Sequence, residues 1–280
     1  GSIDSYFDQV FIWQGDYQLI MAIIKHFEDK LNVQHDTHLI GVQSIIVVED
    51  NIRYYSSFLP IIYLEVMNQS QRLLSESISQ SHIQLRQRAR PKILLCKTYE
   101  EAWGYIEKYH ETISGVISDI GFPHNGELDT LAGLELAKNV KSMHQDIPIL
   151  LHSNYEKNRE KAEELEATFL LKDSPTLLHE LRRFMKTNLS FGEFVFRTPD
   201  GREHARAKDL LSLEKAIATA PALSIKYHAE RNHFSNWLKA RTEFDLALKL
   251  RPRKISDFGT IEKTRMSLIL ALQQYRQRQQ

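Results

Sequence analysis

Residues able to do chemistry stand where apolar runs end. Asp119 closes the run Ile113-Ser114-Gly115-Val116-Ile117-Ser118-Asp119, and Pro123 follows four positions later. Ile45-Ile46-Val47-Val48 runs into the acidic pair Glu49-Asp50, 147–152 leads to Ser153, and Thr168-Phe169-Leu170-Leu171 leads to Lys172. A carboxylate can serve as a nucleophile or as a hard oxygen ligand for a small divalent cation. A lysine ammonium supplies a compact point charge for anionic oxygens. In an α/β sheet such strand ends converge in one crevice.

The elements that would position these groups follow from alternating apolar patterns. Strands are expected at 44–49, 92–96, 114–118, 147–152 and 168–171, with helices at 99–109, 132–143, 157–166 and 176–187. Strand–helix alternation with nearly continuous apolar strands implies a parallel sheet covered on both faces. The fold class is α/β, a five-stranded doubly wound sheet in the order 2-1-3-4-5. One connection is too long: about forty residues separate Asp50 from Lys92, where a crossover helix needs only about a dozen. Ile52, Tyr55, Leu59, Ile62, Tyr63 and Val66 give this stretch an apolar face, Leu73, Leu74 and Ile78 continue it more weakly, and Pro60 should kink the helix or open a turn. Arg86, Arg88 and Arg90 read as a solvated face, with a small anion patch as the alternative.

Residues 3–40 read as a strand–helix segment, the strand at Val10-Phe11-Ile12-Trp13 and the helix carrying Leu19, Ile20, Ile23, Ile24 and Phe27. One strand and one helix cannot bury their own apolar faces, so the segment is the tail of a preceding domain or an accessory to the 41–189 domain. From 190 to 280 the pattern changes to a hairpin with a Pro199-Asp200-Gly201 turn and a return strand at 204–207. Three helices follow, near 209–219, 231–249 and 260–277, broken at Arg251-Pro252 and restarted by Ser256-Asp257. Gly1-Ser2 reads as an added dipeptide, and the polar run 273–280 carries no stop signal. The chain is therefore expected to be a piece of a longer protein.

Bulk composition excludes some classes. Lysines and arginines number 36 and so do aspartates and glutamates, which gives no net attraction to nucleic acid or anionic membrane. Cys96 is the sole cysteine, so no internal disulfide exists and a cytoplasmic location is expected. No run reaches the length needed to span a bilayer. No Walker loop or GxGxxG supports nucleotide binding, and no helix-turn-helix supports DNA binding. A dehalogenase-like phosphatase would want a second aspartate where Gly121 stands. His228, Glu230 and His233 could be metal ligands, but two histidines five apart on one helix diverge, so capping or packing is the expected role.

The order Glu49-Asp50, Asp119, Ser153, Lys172 resembles the receiver domain of bacterial response regulators, over residues 43–188. The resemblance implies a regulatory phosphoacceptor rather than an enzyme. Asp119 would take the phosphoryl group. Mg²⁺ would be held by Asp50 and Asp119 directly, by Glu49 through water and by the Gly121 carbonyl. Ser153 and Lys172 would hold phosphoryl oxygens, with Asn154 beside them where the family commonly has a small residue. Phe169 stands at the family's switch aromatic. The sequence departs from the pattern in Asp173-Ser174-Pro175 after Lys172 and in extra residues between Pro123 and Gly133. The partners implied are a histidine kinase or phosphotransfer protein, downstream domains of the same chain and a possible homodimer, with no DNA and no membrane. The stretch 228–252 resembles a module that follows receivers in proteins related to phosphoenolpyruvate synthase and pyruvate phosphate dikinase. The alternatives are an unphosphorylated interaction scaffold, or a regulatory fragment of such a phosphotransferase.

Overall fold

The computed structural model describes residues 9–13, 15–75, 83, 84, 86, 89–251 and 255–279. Ile78, Arg88 and Pro252 lie outside them. The chain divides into two compact units, Gly1–Phe184 and Met185–Gln280.

In the first unit, β1 (Ser44–Val48), β2 (Lys92–Cys96), β3 (Ile113–Asp119), β6 (Ile149–Ser153) and β7 (Thr168–Leu171) form one parallel sheet. Its order is β2-β1-β3-β6-β7, the doubly wound order expected from the sequence. Helices cover both faces, which is why the strands are apolar without interruption. Ile46, Val48, Leu94, Val116 and Leu151 pack with Ala102 and Ile106 of α3 (Tyr99–Lys108) and with Leu136 and Val140 of α4 (Ala132–Met143). The alternate residues Ile45, Val47, Ile117 and Leu150 are equally buried and point to the opposite face. The helix after β1, α2 (Ile52–Ser75), buries Tyr55, Phe58, Leu59 and Ile62 and runs unbroken through Pro60.

Two expectations for this unit are corrected. Val10–Trp13 is not a strand; Tyr55 Oη donates to the Val10 carbonyl at 2.5 Å and the Ile12 N–H donates to Ser56 Oγ at 3.0 Å. The run is thus held by side chains of α2 and needs no strand partner. Nor are the arginines a solvated face: Arg86 and Arg90 are buried, Arg86 on the Leu73 carbonyl and Arg90 on Asp29. Asp29 belongs to α1 (Gln18–Ile40), which packs on α2 and β2. Its carboxylate also accepts the Ile93 N–H at 2.9 Å and Tyr63 Oη at 3.0 Å. A buried carboxylate persists only with such partners, and these bind α1 to the sheet.

An element unforeseen in the sequence follows β3. β4 (Phe122–His124) and β5 (Glu127–Asp129) make a small antiparallel hairpin. Asn125 and Gly126 turn it with φ of 53° and 81°, the left-handed pair that a tight hairpin requires.

In the second unit, β8 (Phe194–Arg197) and β9 (Glu203–Ala207) pair as a hairpin. Helices Leu210–Thr219, Ala222–Glu230, His233–Lys239, Phe244–Lys249, Ile255–Phe258 and Ile261–Gln279 follow. Phe194, Phe196, Leu213, Ile225, Phe234, Trp237, Leu238 and Leu272 share its core. The single helix expected over 231–249 is instead broken, because Asn232 and Thr242 adopt φ of 54° and 63°. The break at Asn232 also overturns the expected divergence of the histidines: His228 Nδ1 lies 2.9 Å from His233 Nδ1. His228 Nε2 accepts the Arg197 N–H at 2.8 Å, so the neutral ring carries its proton on Nδ1 and donates to His233. Ser256 and Asp257 fall inside the short helix Ile255–Phe258 rather than starting the long one.

Among the described residues, no helix is long and apolar enough to cross a membrane.

Candidate functional site: an acidic pocket at the strand ends

Parallel strands put all their carboxyl ends on one edge, and here the ladder continues one residue beyond β1, β3 and β7. The Glu49 N–H donates to the Cys96 carbonyl at 3.0 Å, Ile120 N–H to His152 O at 3.1 Å, and Lys172 N–H to Ser153 O at 2.9 Å. The backbone around Glu49, Asp119 and Lys172 is therefore as rigid as the sheet itself.

Asp119 and Glu49 are buried, and with Asp50 each offers a carboxylate oxygen within 4.8 Å of the others. The Asp119 carboxylate accepts the Ile120 N–H on Oδ1 at 2.7 Å and the Lys172 ammonium on Oδ2 at 2.6 Å. Lys172 also lies 2.8 Å from Glu49 Oε2, while Glu49 Oε1 accepts the Asn51 N–H at 3.0 Å. Burial raises Asp119 above the ordinary aspartate range, against the pull of Lys172. Burial and the Asp119 charge push Glu49 up to about 7. Burial would lower Lys172, but the two carboxylates outweigh it and hold the amine above its usual value. Among the described residues, the Lys172 ammonium pairs with Glu49 and Asp119, and Asp50 adds a third carboxyl group to the pocket. That surplus of negative charge, on hard oxygen donors, fits a small divalent cation.

The expected site residues separate into two groups. Glu49, Asp50, Asp119 and Lys172 come together. Ser153 Oγ instead accepts the Tyr155 N–H at 3.2 Å and Asn158 Nδ2 at 3.0 Å. Asn154 Oδ1 accepts Tyr54 Oη at 3.2 Å, and the Tyr54 ring lies 4.2 Å from Lys172 Nζ. Gly121 begins the turn from β3 into the hairpin, two residues after Asp119. Phe169 is buried, with the Arg159 guanidinium 4.8 Å over its ring.

Gly133, at the start of α4, is a constraint on the site. A Cβ there would stand 2.1 Å from the Asp119 carbonyl oxygen and 2.7 Å from Ile120 Cα. The bare backbone lets the helix close directly behind the Asp119 turn.

Two neighbours were not singled out in the sequence. Tyr54 is one; its position in the first turn of α2 was a signal only once Lys172 was placed. His152 is the other. It is 1% exposed, both ring nitrogens lack a hydrogen-bond partner among the described residues, and Nδ1 stands 3.7 Å from Glu49 Oε2 and 3.8 Å from Asp119 Oδ1. Burial, with Lys172 nearby, drops its pKa well below the usual histidine value, so the ring is neutral.

No family model and no curated protein matches the chain. Among solved structures, the chain is similar to the Vibrio cholerae chemotaxis protein CheY4 crystallised at low pH, with 19% identity, 51% of this chain and 98% of that one covered, and a TM-score of 0.30. The Mn²⁺-bound response regulator Rcp1 gives 15% identity, 51% and 92% coverage, and a TM-score of 0.31. The phosphorylated cyanobacterial phytochrome response regulator RcpA gives 15% identity, 59% and 99% coverage, and a TM-score of 0.33.

Proposed function

We propose that the first unit is a receiver that accepts a phosphoryl group on Asp119. The observation that carries this reading is the Asp119–Lys172 contact of 2.6 Å inside a pocket shared with Glu49 and Asp50. Such a pocket has the parts phosphoryl transfer needs: a nucleophile, charge to offset the incoming oxygens, and fixed positions.

A carboxylate oxygen of Asp119 forms a bond to phosphorus as the donor's P–N bond, in a phosphohistidine, breaks. The imidazole departs with the bonding pair, and the product is an aspartyl phosphate. Lys172 remains beside the new oxygens as their counter-charge. Ser153 and Asn154 border the same edge and would contact the phosphoryl group after local rearrangement, since Ser153 now serves Asn158. Asp50, Asp119 and the Gly121 carbonyl would hold Mg²⁺, with Glu49 acting through water. When bound, that cation would neutralise charge on the transferring group.

The role is regulatory, with a histidine kinase or phosphotransfer protein as donor. The Met185–Gln280 unit would receive the output. Intact-mass measurement after incubation with acetyl phosphate and Mg²⁺, beside an Asp119→Asn control, tests the reading. A single phosphoryl adduct on the wild type alone is expected. Adducts of equal yield on both proteins, or on neither, contradict it.

A further inference from the structure

The hairpin after β3 carries a second convergence of donors. His124 Nδ1 lies 3.5 Å from Asp129 Oδ2 and 3.9 Å from Glu135 Oε2. One ligand atom from each of the three falls within 4.8 Å of the other two. His124 and Asp129 stand on opposite strands of the hairpin, and Glu135 is in the first turn of α4.

The surroundings fix His124 and Asp129 independently of each other, while Glu135 reaches in from a mostly exposed position. The His124 ring stacks on Tyr99 with centroids 4.2 Å apart and planes at 23°, and Asn139 Nδ2 donates to Tyr99 Oη at 2.8 Å. Asp129 Oδ1 accepts the Leu131 N–H at 2.8 Å, which leaves Oδ2 as the oxygen nearer His124. The Asn125 N–H donates to Glu100 Oε1 at 2.7 Å and fastens the hairpin tip to α3. Outer contacts of this kind orient metal ligands. The gaps of 3.5 and 3.9 Å exceed hydrogen-bond length, about 3.2 Å at most. The donors converge at ion-pair range without hydrogen-bonding one another.

We infer that His124, Asp129 and Glu135 form a binding site for a divalent transition-metal ion, separate from the acidic pocket, with Zn²⁺ the best match. Ligands about 2.0–2.2 Å from a tetrahedral zinc stand about 3.3–3.6 Å from each other, close to the observed separations. An imidazole beside two carboxylates suits zinc, iron or nickel far better than magnesium. Three protein ligands leave one position for water. Because the hairpin begins directly after Gly121, an ion here would brace the segment between Asp119 and α4.

The test uses the full chain carrying Asp50→Asn and Asp119→Asn, which silences the acidic pocket. Zn²⁺ affinity is read by competition with a chromophoric chelator, and Co²⁺ by its visible absorption. About one equivalent of Zn²⁺ should bind to this background, undisplaced by excess Mg²⁺. Adding His124→Ala should weaken binding by roughly tenfold or more, and adding Glu135→Gln, at a mostly exposed carboxylate, should do so too. Unchanged Zn²⁺ affinity in both added variants, or displacement by Mg²⁺, overturns the inference. The receiver reading is judged separately, on Asp119 phosphorylation with Mg²⁺, so either can fail alone.

Discussion

Lys172 Nζ donates to Asp119 Oδ2 at 2.6 Å, joining the end of β7 to the end of β3 across the intervening strand β6. The same ammonium stands 2.8 Å from Glu49 Oε2. It is the cation common to two buried acids. Lys172→Ala leaves both without it, and removing one partner of a buried ion pair costs about 3 kcal/mol. Urea unfolding in metal-free buffer should show that loss. Millimolar Mg²⁺ should recover part of it by supplying the missing charge. A variant as stable as the wild type without metal would mean that Lys172 does not neutralise the pocket.

Gly133 allows a contrast between two glycines. Gly133→Ala drives a Cβ into the Asp119 carbonyl, whereas a Cβ at Gly104 in α3 meets nothing within 4 Å. Gly133→Ala is expected to destabilise by about 2 kcal/mol or more and to lower phosphoryl uptake with it. Gly104→Ala should stabilise by roughly 0.5–1 kcal/mol and leave uptake alone. Thermal melts of both variants check the pair.

Much of this fold was legible in the sequence. Five apolar runs between helical patterns marked the sheet in its doubly wound order, and the polar residues ending three of them, Glu49-Asp50, Asp119 and Lys172, come together in one pocket, while Ser153, which ends a fourth, bonds Tyr155 and Asn158 instead. The hairpin at Phe122–Asp129 was missed because strands of three residues show no alternation, although Asn125-Gly126 is a turn signal. The breaks at Asn232 and Thr242 were missed because neither is glycine or proline, and Phe234, Trp237, Leu238 and Phe244 keep helical spacing across one of them. Tertiary packing set those angles. His152 was invisible for a different reason: residue type says nothing about whether a buried ring finds partners.

His152→Leu tests that orphan. Its ring nitrogens are buried without hydrogen bonds among the described residues, and Phe58 meets the ring edge-on at 5.2 Å. Replacing an unsatisfied polar group by an apolar one of similar size should hold stability or raise it by about 1 kcal/mol. A loss larger than 1 kcal/mol in urea unfolding would show that the imidazole does favourable work beside Glu49 and Asp119.

His228 makes the second unit sensitive to acid. Burial first, then the nearby His233, Arg197 and Arg231, lower it from 6.5 to about 3. A depressed pKa contributes stability that is complete above the unfolded value and lost as pH falls toward the folded one. The window therefore runs from about 6.5 down to about 3. Between pH 7.5 and 5 the wild type should lose about 2 kcal/mol through this residue. A His228→Gln variant should lose correspondingly less over the same interval. Parallel acid sensitivity in the two proteins would show that His228 is not the titrating group.

The central claim is that Asp119 accepts a phosphoryl group. Intact mass after acetyl phosphate and Mg²⁺ tests it most directly, with Asp119→Asn and EDTA alongside. The expected result is one phosphoryl adduct on the wild type, absent from Asp119→Asn and absent in EDTA. An unmodified wild type, or an adduct that survives Asp119→Asn, would contradict the account and leave the pocket as part of an interaction scaffold.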